Sequence, residues 1–221
     1  GKSPGPDGLD IDFWKLVAAE DSSPCLEVLT RIVGLCLELG FQPESLKHGW
    51  ITMVPKVKPD GSFSCSPDGM RPITLLPELG KLASRLLAKR IGDIFVQQPH
   101  LLSEAQRGFL AEGSVLQCVS SLVDVIEDWK QTKRDMGPRK AGPLYVLSYD
   151  QSKAYDSVQP YSIRASLERF NFPEVFIRYV LSGLEGATSR VRTKDGLTRQ
   201  FVLSTGVRQG DPLSPLIYIM T

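Results

Sequence analysis

The chain has 221 residues, of which 42% are hydrophobic and 23% are charged, a balance typical of a folded globular protein. Its net charge is only +1, which excludes a broadly basic chain, so any binding of nucleic acid has to depend on local groups of basic residues. The four cysteines form no C-x-x-C pair, which argues against a zinc site or a disulfide framework, and the sequence contains neither a membrane-length apolar run nor a secretory signal.

The first half of the chain predicts helices and strands in irregular alternation. Apolar residues at helical spacing predict helices over 11–17, 26–39, 79–96 and about 115–129, and Gly40 is the expected C-cap of the second helix. The run from Trp50 to Val54 predicts a strand. The charged segment from Gln131 to Gly142 predicts a surface loop.

An apolar run from Leu144 to Tyr149 predicts a buried strand that ends at the carboxylate of Asp150. A carboxylate at the end of a buried strand needs a cation or hydrogen-bond donors, and magnesium would supply such a partner. The alternative from this stretch alone is that Asp150 is the N-cap of the helix that follows it.

The last part of the chain predicts helices around 161–170 and after Pro173, and then strands over 189–193 and 198–202. The tight-turn sequence Lys194-Asp195-Gly196 joins the two strands as a hairpin. A polar loop over 204–215 leads into an apolar helix. The mixture of helices and strands, without the regular alternation of a doubly wound sheet, predicts an α+β fold.

Six short motifs occur in a fixed order along nearly the whole chain. They are Lys-Ser-Pro-Gly-Pro-Asp-Gly at 2–8, Pro-Lys at 55–56, Arg-Pro-Ile-Thr-Leu-Leu at 71–76, Gln-Arg-Gly-Phe at 106–109, the segment 150–156, and Gly-Val-Arg-Gln-Gly-Asp-Pro-Leu-Ser-Pro at 206–215. In this order they closely resemble the reverse transcriptase domain of non-LTR (LINE-type) retrotransposons, with group II intron enzymes as more distant relatives.

The resemblance implies a right-hand polymerase fold, with fingers over 1–142 and an incomplete palm over 143–221. It also implies a nucleotidyltransferase that uses an RNA template, a DNA primer, deoxynucleoside triphosphates and two magnesium ions. The family's next motif is a pair of adjacent aspartates, and no Asp-Asp pair occurs in this sequence. The chain is therefore expected to be a fragment, truncated before the catalytic hairpin, that does not polymerise by itself.

By resemblance, Asp150 is the first metal-binding aspartate, and the backbone carbonyl of Gln151 is a second, weaker ligand. Tyr155 matches the aromatic ring that lies under the incoming sugar, where it would collide with a ribose 2′-hydroxyl and so favour DNA synthesis. The alternative for Tyr155 is an ordinary core aromatic. Asp156 is expected to be structural.

Arg71 and Lys56 are the candidates for contacts with the triphosphate, because a guanidinium matches phosphate oxygens and positive charge stabilises the departing pyrophosphate. The alternative for both is a surface ion pair or simple solvation, and Lys58 lies close enough to replace Lys56. Gln209 and Gly210 resemble the loop that packs beneath the new base pair, where glycine permits close backbone approach.

Lys2, Arg107 and Arg208 are candidates for contacts with the template, which would depend on charge and not on sequence. Each of the three could equally be a solvated surface residue. The sequence carries no polybasic import signal, so a nuclear location follows from the resemblance alone, and the oligomeric state stays open.

Two other functions compete with that of a polymerase. One is a catalytically inactive, reverse-transcriptase-like scaffold that binds RNA, although such relatives tend to lose the metal aspartate or the aromatic ring, and this chain has both. The other is an unrelated metal-dependent hydrolase. Only Asp150 and Asp156 support it, because the sequence has neither a histidine pair nor a G-x-S-x-G motif.

Overall fold

The computed structural model describes residues 3–19, 23–64, 66–110, 113–136 and 142–221. The chain divides into two compact units, one formed by 1–90 together with 154–221 and the other by 91–153. This division does not follow the predicted boundary between residues 142 and 143, and the assignment of fingers and palm stays a prediction.

The elements follow one another as the irregular mixture that the sequence predicts. The helices are α1 Ile11–Val17, α2 Pro24–Leu39, α3 Glu44–Lys47, α4 Glu78–Gln97, α5 Val115–Met136, α6 Pro160–Arg169, α7 Glu174–Leu184 and α8 Ser214–Met220. The strands are β1 His48–Pro55, β2 Met70–Leu75, β3 Thr188–Thr193, β4 Gly196–Leu197 and β5 Phe201–Val202.

The five strands form one sheet in the first unit, in the order β2-β1-β3-β4, with β5 also pairing with β3. β1 runs parallel to β3 and antiparallel to β2. The predicted hairpin turn is confirmed, because Thr193 pairs with Gly196 across Lys194-Asp195. The predicted second strand over 198–202 is wrong in extent, because the chain forms two short strands, β4 and β5, with 198–200 outside both. The sheet therefore joins strands that are more than a hundred residues apart in the sequence.

The predicted helices are confirmed, and Gly40 ends α2 in the left-handed conformation at φ 64°. The predicted surface loop over 131–142 is wrong for 131–136, because α5 continues to Met136. An i,i+4 hydrogen bond from Gln131 to Asp135 and two cations in the last turn favour this extension. The rest of that loop, 137–141, lies outside the described residues.

The predicted strand over 144–149 does not form. No described strand pairs with this segment, and its large side chains are open to solvent, with Tyr145 86%, Leu147 93% and Tyr149 90% exposed. Strand-forming residues adopt a strand only where a neighbouring strand supplies hydrogen bonds and a packing surface. The N-cap alternative for Asp150 is also wrong, because turns follow it and α6 begins at Pro160 with Gln159 as N-cap.

The core of the first unit lies among α6, α7 and α8. Ile163 and Leu167 of α6, Ile177 of α7 and Met220 of α8 are almost completely buried there. Val207 and Leu213 are buried as well, so the polar loop before α8 is anchored at both of its ends. In the second unit, the described residues of α5 include no buried side chain. None of the helices in the described ranges combines the length and the apolarity needed to cross a membrane.

Candidate active site

The loop that carries Gln209 and Gly210 lies along the edge of β2. The backbone N–H of Thr74 donates a hydrogen bond of 2.6 Å to the carbonyl of Gln209. Gly210 has φ 129°, and a Cβ there would lie 2.3 Å from the Thr74 carbonyl oxygen. Only glycine permits this close approach, so the two predicted residues are held against the strand that also carries Arg71.

Tyr155 is attached to the same loop through its backbone. Its carbonyl accepts a 2.9 Å hydrogen bond from the N–H of Val207, and the N–H of Gly206 donates to the carbonyl of Val158 at 2.7 Å. Gly206 has φ 88°, and a Cβ there would lie 2.9 Å from the Asp156 Cα. The two segments therefore cross at a point where only a glycine fits.

The ring of Tyr155 is half-buried and stacks on Tyr218 of α8, with 5.1 Å between ring centroids and 12° between planes. Burial, and then the neighbouring Tyr218, raise the pKa of Tyr155 above its ordinary value. The phenol therefore stays neutral at physiological pH. The ring is packed on one side and half-buried, and its role beneath the incoming sugar stays a prediction.

Arg71 and Lys56 belong to the hairpin of β1 and β2. Arg71 pairs with Val54, and Lys56 follows β1, with its backbone N–H bonded to the Gly69 carbonyl at 2.8 Å. Because side chains two residues apart in an extended strand share a face, Lys56 continues the face of Val54 and Arg71.

Both of these basic side chains are exposed. Lys56 Nζ donates to the backbone carbonyl of Asp68 at 3.3 Å, so the lysine is partly engaged within its own loop. Arg71 makes no salt bridge with any described residue. Among the described residues, Arg71 therefore has no ion-pair partner, which argues against the alternative role of a surface ion pair.

Arg208 is not on the surface, where a contact with the template would need it. It is only 8% exposed, and its guanidinium donates a 3.0 Å hydrogen bond to the carbonyl of Gly183. Burial lowers the pKa of Arg208, while the neighbouring Asp211 raises it in part. The prediction of a surface contact for Arg208 is contradicted by this placement, and its side chain supports the loop from inside.

Asp211 is the important residue that sequence reasoning missed. Asp211 is partly buried, and its carboxylate accepts hydrogen bonds from the Leu213 N–H, at 3.0 Å, and from Ser84. Burial raises the pKa of Asp211, and these hydrogen bonds and Arg208 oppose the rise. An acidic residue three positions after an arginine, at the entry to an apolar helix, was the available signal.

Three of the remaining predicted residues, Arg107, Asp150 and Gln151, belong to the second unit. Asp150 and Gln151 are exposed, as is Arg107 in its turn. Lys2 lies outside the described residues. Asp150 accepts no hydrogen bond from the described part of the chain.

The magnesium site is not complete in the described part of the chain. No group of three or more His, Cys, Asp or Glu side chains occurs there that could hold a metal ion. Two magnesium ions need several carboxylates, and Asp150 supplies one. The described residues therefore do not fit a two-ion site by themselves.

Comparison with known proteins agrees with the motifs. The family model described as "Reverse transcriptase (RNA-dependent DNA polymerase)" matches residues 54–221. Over 94% of its length the chain is 31% identical to the "Retrovirus-related Pol polyprotein from type-1 retrotransposable element R2" of Popillia japonica, of which it covers 28%.

Two relatives from Drosophila melanogaster extend this result. The chain is 27% identical, over 98% of its length, to the "Retrovirus-related Pol polyprotein from type-2 retrotransposable element R2DM", of which it covers 18%. It is 26% identical, also over 98%, to the "RNA-directed DNA polymerase from mobile element jockey", of which it covers 22%. The chain thus spans less than a third of the length of these relatives. It belongs to the reverse transcriptase family, among the enzymes of non-LTR retrotransposons.

Proposed function

We propose that the chain is part of the reverse transcriptase domain of a longer protein, which extends a DNA primer along an RNA template. The observation that carries the proposal is the loop 206–212, which is bonded to both Thr74 of β2 and Tyr155. This loop connects three of the predicted nucleotide contacts within one compact unit. The family match over 54–221 supports the same reaction.

Each group would act on a different part of the incoming nucleotide. The exposed guanidinium of Arg71 would bind the triphosphate, with Lys56 as a second cation. The backbone at Gln209 and Gly210 would support the new base pair. The fixed ring of Tyr155 would exclude a ribose 2′-hydroxyl.

In this proposal residues 1–142 form fingers and residues 143–221 form part of a palm. Magnesium, when bound, would activate the primer oxygen and stabilise the leaving pyrophosphate. Asp150, with the carbonyl of Gln151, would supply one part of that site, and an Asp-Asp pair beyond this chain would supply the rest. A nuclear location would follow from the function of a retrotransposon enzyme.

Primer extension on an RNA template tests the activity. The full-length protein is expected to incorporate deoxynucleotides with magnesium, and the 221-residue chain alone is expected to be inactive. Asp150→Asn in the full-length protein should abolish extension, because a carboxylate ligand is lost. The matched control is Asp195→Asn, an exposed carboxylate in the hairpin turn, which should retain activity. Equal activity of the two variants would overturn the role of Asp150, and extension by the 221-residue chain would overturn the expected inactivity.

The sugar preference tests Tyr155 separately. Tyr155→Val is expected to lower the preference for deoxynucleotides over ribonucleotides by roughly 10- to 100-fold, because the collision with the 2′-hydroxyl is removed. Tyr161→Val, at an exposed tyrosine of α6, is the control and should leave the preference unchanged. An unchanged preference in Tyr155→Val would show that the ring has only a packing role.

The second candidate is the inactive scaffold that binds RNA. The observation that favours it is the lack of a group of three metal ligands in the described ranges. Binding of RNA by the full-length protein, without any extension of a primer, would select this candidate.

A further inference from the structure

One face of the sheet in the first unit carries three arginines. Val54 pairs with Arg71 across β1 and β2, and Trp50 and Thr52 pair with Arg190 and Arg192 across β1 and β3. Paired residues on neighbouring strands point to the same face, and so do residues two apart along one strand. Arg71, Arg190 and Arg192 therefore share a face with Trp50, which we call the arginine face.

The arginine face is positive, and its strands carry no acidic residue. None of the five strands formed by the described residues contains an aspartate or a glutamate. All three arginines are exposed, and none makes a salt bridge with a described residue. The net charge of the protein is only +1, so the arginine face is a local concentration of positive charge that the net charge does not reveal.

Trp50 holds one of the three arginines in place on the arginine face. The guanidinium of Arg192 lies over the Trp50 ring, 4.8 Å from its centroid. This cation–π contact orients the planar fork of Arg192 before any ligand arrives. The half-buried indole also adds an aromatic surface beside the cations.

The arrangement is larger than one phosphate group. Arg190 and Arg192 are separated by about 7 Å along β3, at roughly 3.3 Å per residue, and Arg71 lies two strands away, at about 10 Å across the sheet. The spacing of Arg190 and Arg192 suits neighbouring phosphates of one extended strand, and Arg71 lies far enough away to contact a phosphate further along it. Basic groups beside an aromatic ring are the usual combination in proteins that bind single-stranded nucleic acid.

We propose that the arginine face binds the phosphate backbone of the single-stranded RNA template. This inference rests on the proposed function, which supplies the RNA, and it extends the nucleic-acid contact from the β1–β2 hairpin onto β3. Arg190 and Arg192 are the new contacts. Their interaction with phosphate is independent of base sequence and sensitive to salt.

The test compares two double variants that each remove two positive charges. Arg190→Gln/Arg192→Gln alters the arginine face but leaves Arg71 in place. The control, Arg31→Gln/Arg90→Gln, removes exposed arginines of α2 and α4 in the same unit. Affinity of the 221-residue chain for a fluorescently labelled poly(U) strand is measured by anisotropy at several salt concentrations. Thermal unfolding verifies that both variants stay folded.

The slope of log affinity against log salt concentration should become shallower by about 1.4 in Arg190→Gln/Arg192→Gln, because each lost phosphate contact with a single strand accounts for about 0.7. Its affinity near 0.1 M salt should fall roughly tenfold or more. The control should keep the wild-type slope. Equal slopes for the two double variants would overturn the proposal, and so would competition by polyglutamate as effective as competition by unlabelled poly(U).

Primer extension by the full-length protein separates this inference from the proposed function. Loss of RNA affinity in a protein that never extends a primer would refute the polymerase and leave the RNA-binding face standing. Normal extension, with an unchanged salt slope in Arg190→Gln/Arg192→Gln, would refute the arginine face alone.

Discussion

At the scale of single residues, Gly210 determines how the loop meets β2. The substitution Gly210→Ala places a methyl group against the Thr74 carbonyl and forces a side chain into φ 129°. We expect the free energy of unfolding to fall by about 2 kcal/mol or more, from backbone strain and steric conflict together. Urea unfolding measures the change.

The matched control for that substitution is Gly34→Ala. Gly34 lies inside α2, and a Cβ there meets no atom within 4 Å. Alanine should therefore stabilise the helix by up to about 1 kcal/mol. A loss of stability in Gly34→Ala equal to that in Gly210→Ala would show that the contact with Thr74 is not the cause.

Asp211 predicts a specific pH dependence. Burial raises its pKa above the ordinary value of 3.8, so the protonated form is the one that the fold favours. The contribution of Asp211 to the free energy of unfolding is fully present below pH 3.8, and it is lost as the pH rises through the raised pKa of the folded state. Asp211→Asn, which keeps an oxygen to accept the Leu213 N–H, should remove this loss.

The measurement for Asp211 is urea unfolding of the wild type and of Asp211→Asn across the acidic and neutral range. The free energy of unfolding of the wild type should decline with pH relative to that of the variant. Parallel curves would mean that the carboxyl titrates in the folded state as it does in the unfolded state.

At the scale of elements, the segment 144–149 shows a local preference for a strand that the structure does not follow. Its residues favour a strand, yet no described strand pairs with them. We expect its backbone amides to exchange with deuterium nearly as fast as those of an unfolded chain, because hydrogen bonds are what protect amides. The amides of β1 that bond to β2 are the internal control and should be protected. Similar protection in both segments would contradict the structure of this segment.

The other elements show when a sequence pattern suffices. Apolar spacing predicts α2 and α4, since an amphipathic helix satisfies its own backbone and needs only one packed face. Gly40 and the turn at Lys194-Asp195 were predicted from local backbone geometry. The C-terminal end of α5 was missed because charged residues favour a loop and an exposed helix equally well.

At the scale of the whole molecule, α5 in the second unit differs from the core helices of the first unit in having no buried side chain among its described residues. The core of the first unit includes the nearly inaccessible Ile163, Leu167 and Ile177, whereas the described residues of α5 in the second unit are not buried. Local stability follows buried contacts, so we expect limited proteolysis to cut first between Val115 and Asp150. Mass spectrometry of the early fragments identifies the sites. First cuts within α6 or α7 would contradict this order.

The sequence by itself determined the family, the α+β class and most helices, because motifs and apolar periodicity are local properties of the chain. Only the tertiary structure decided that Arg208 is buried and that Asp211 lies beside it. It also decided that no described strand pairs with 144–149 and that Arg190 and Arg192 share a face with Arg71. These facts depend on which distant segments meet, and pairing between β1 and β3 joins residues that no local pattern connects.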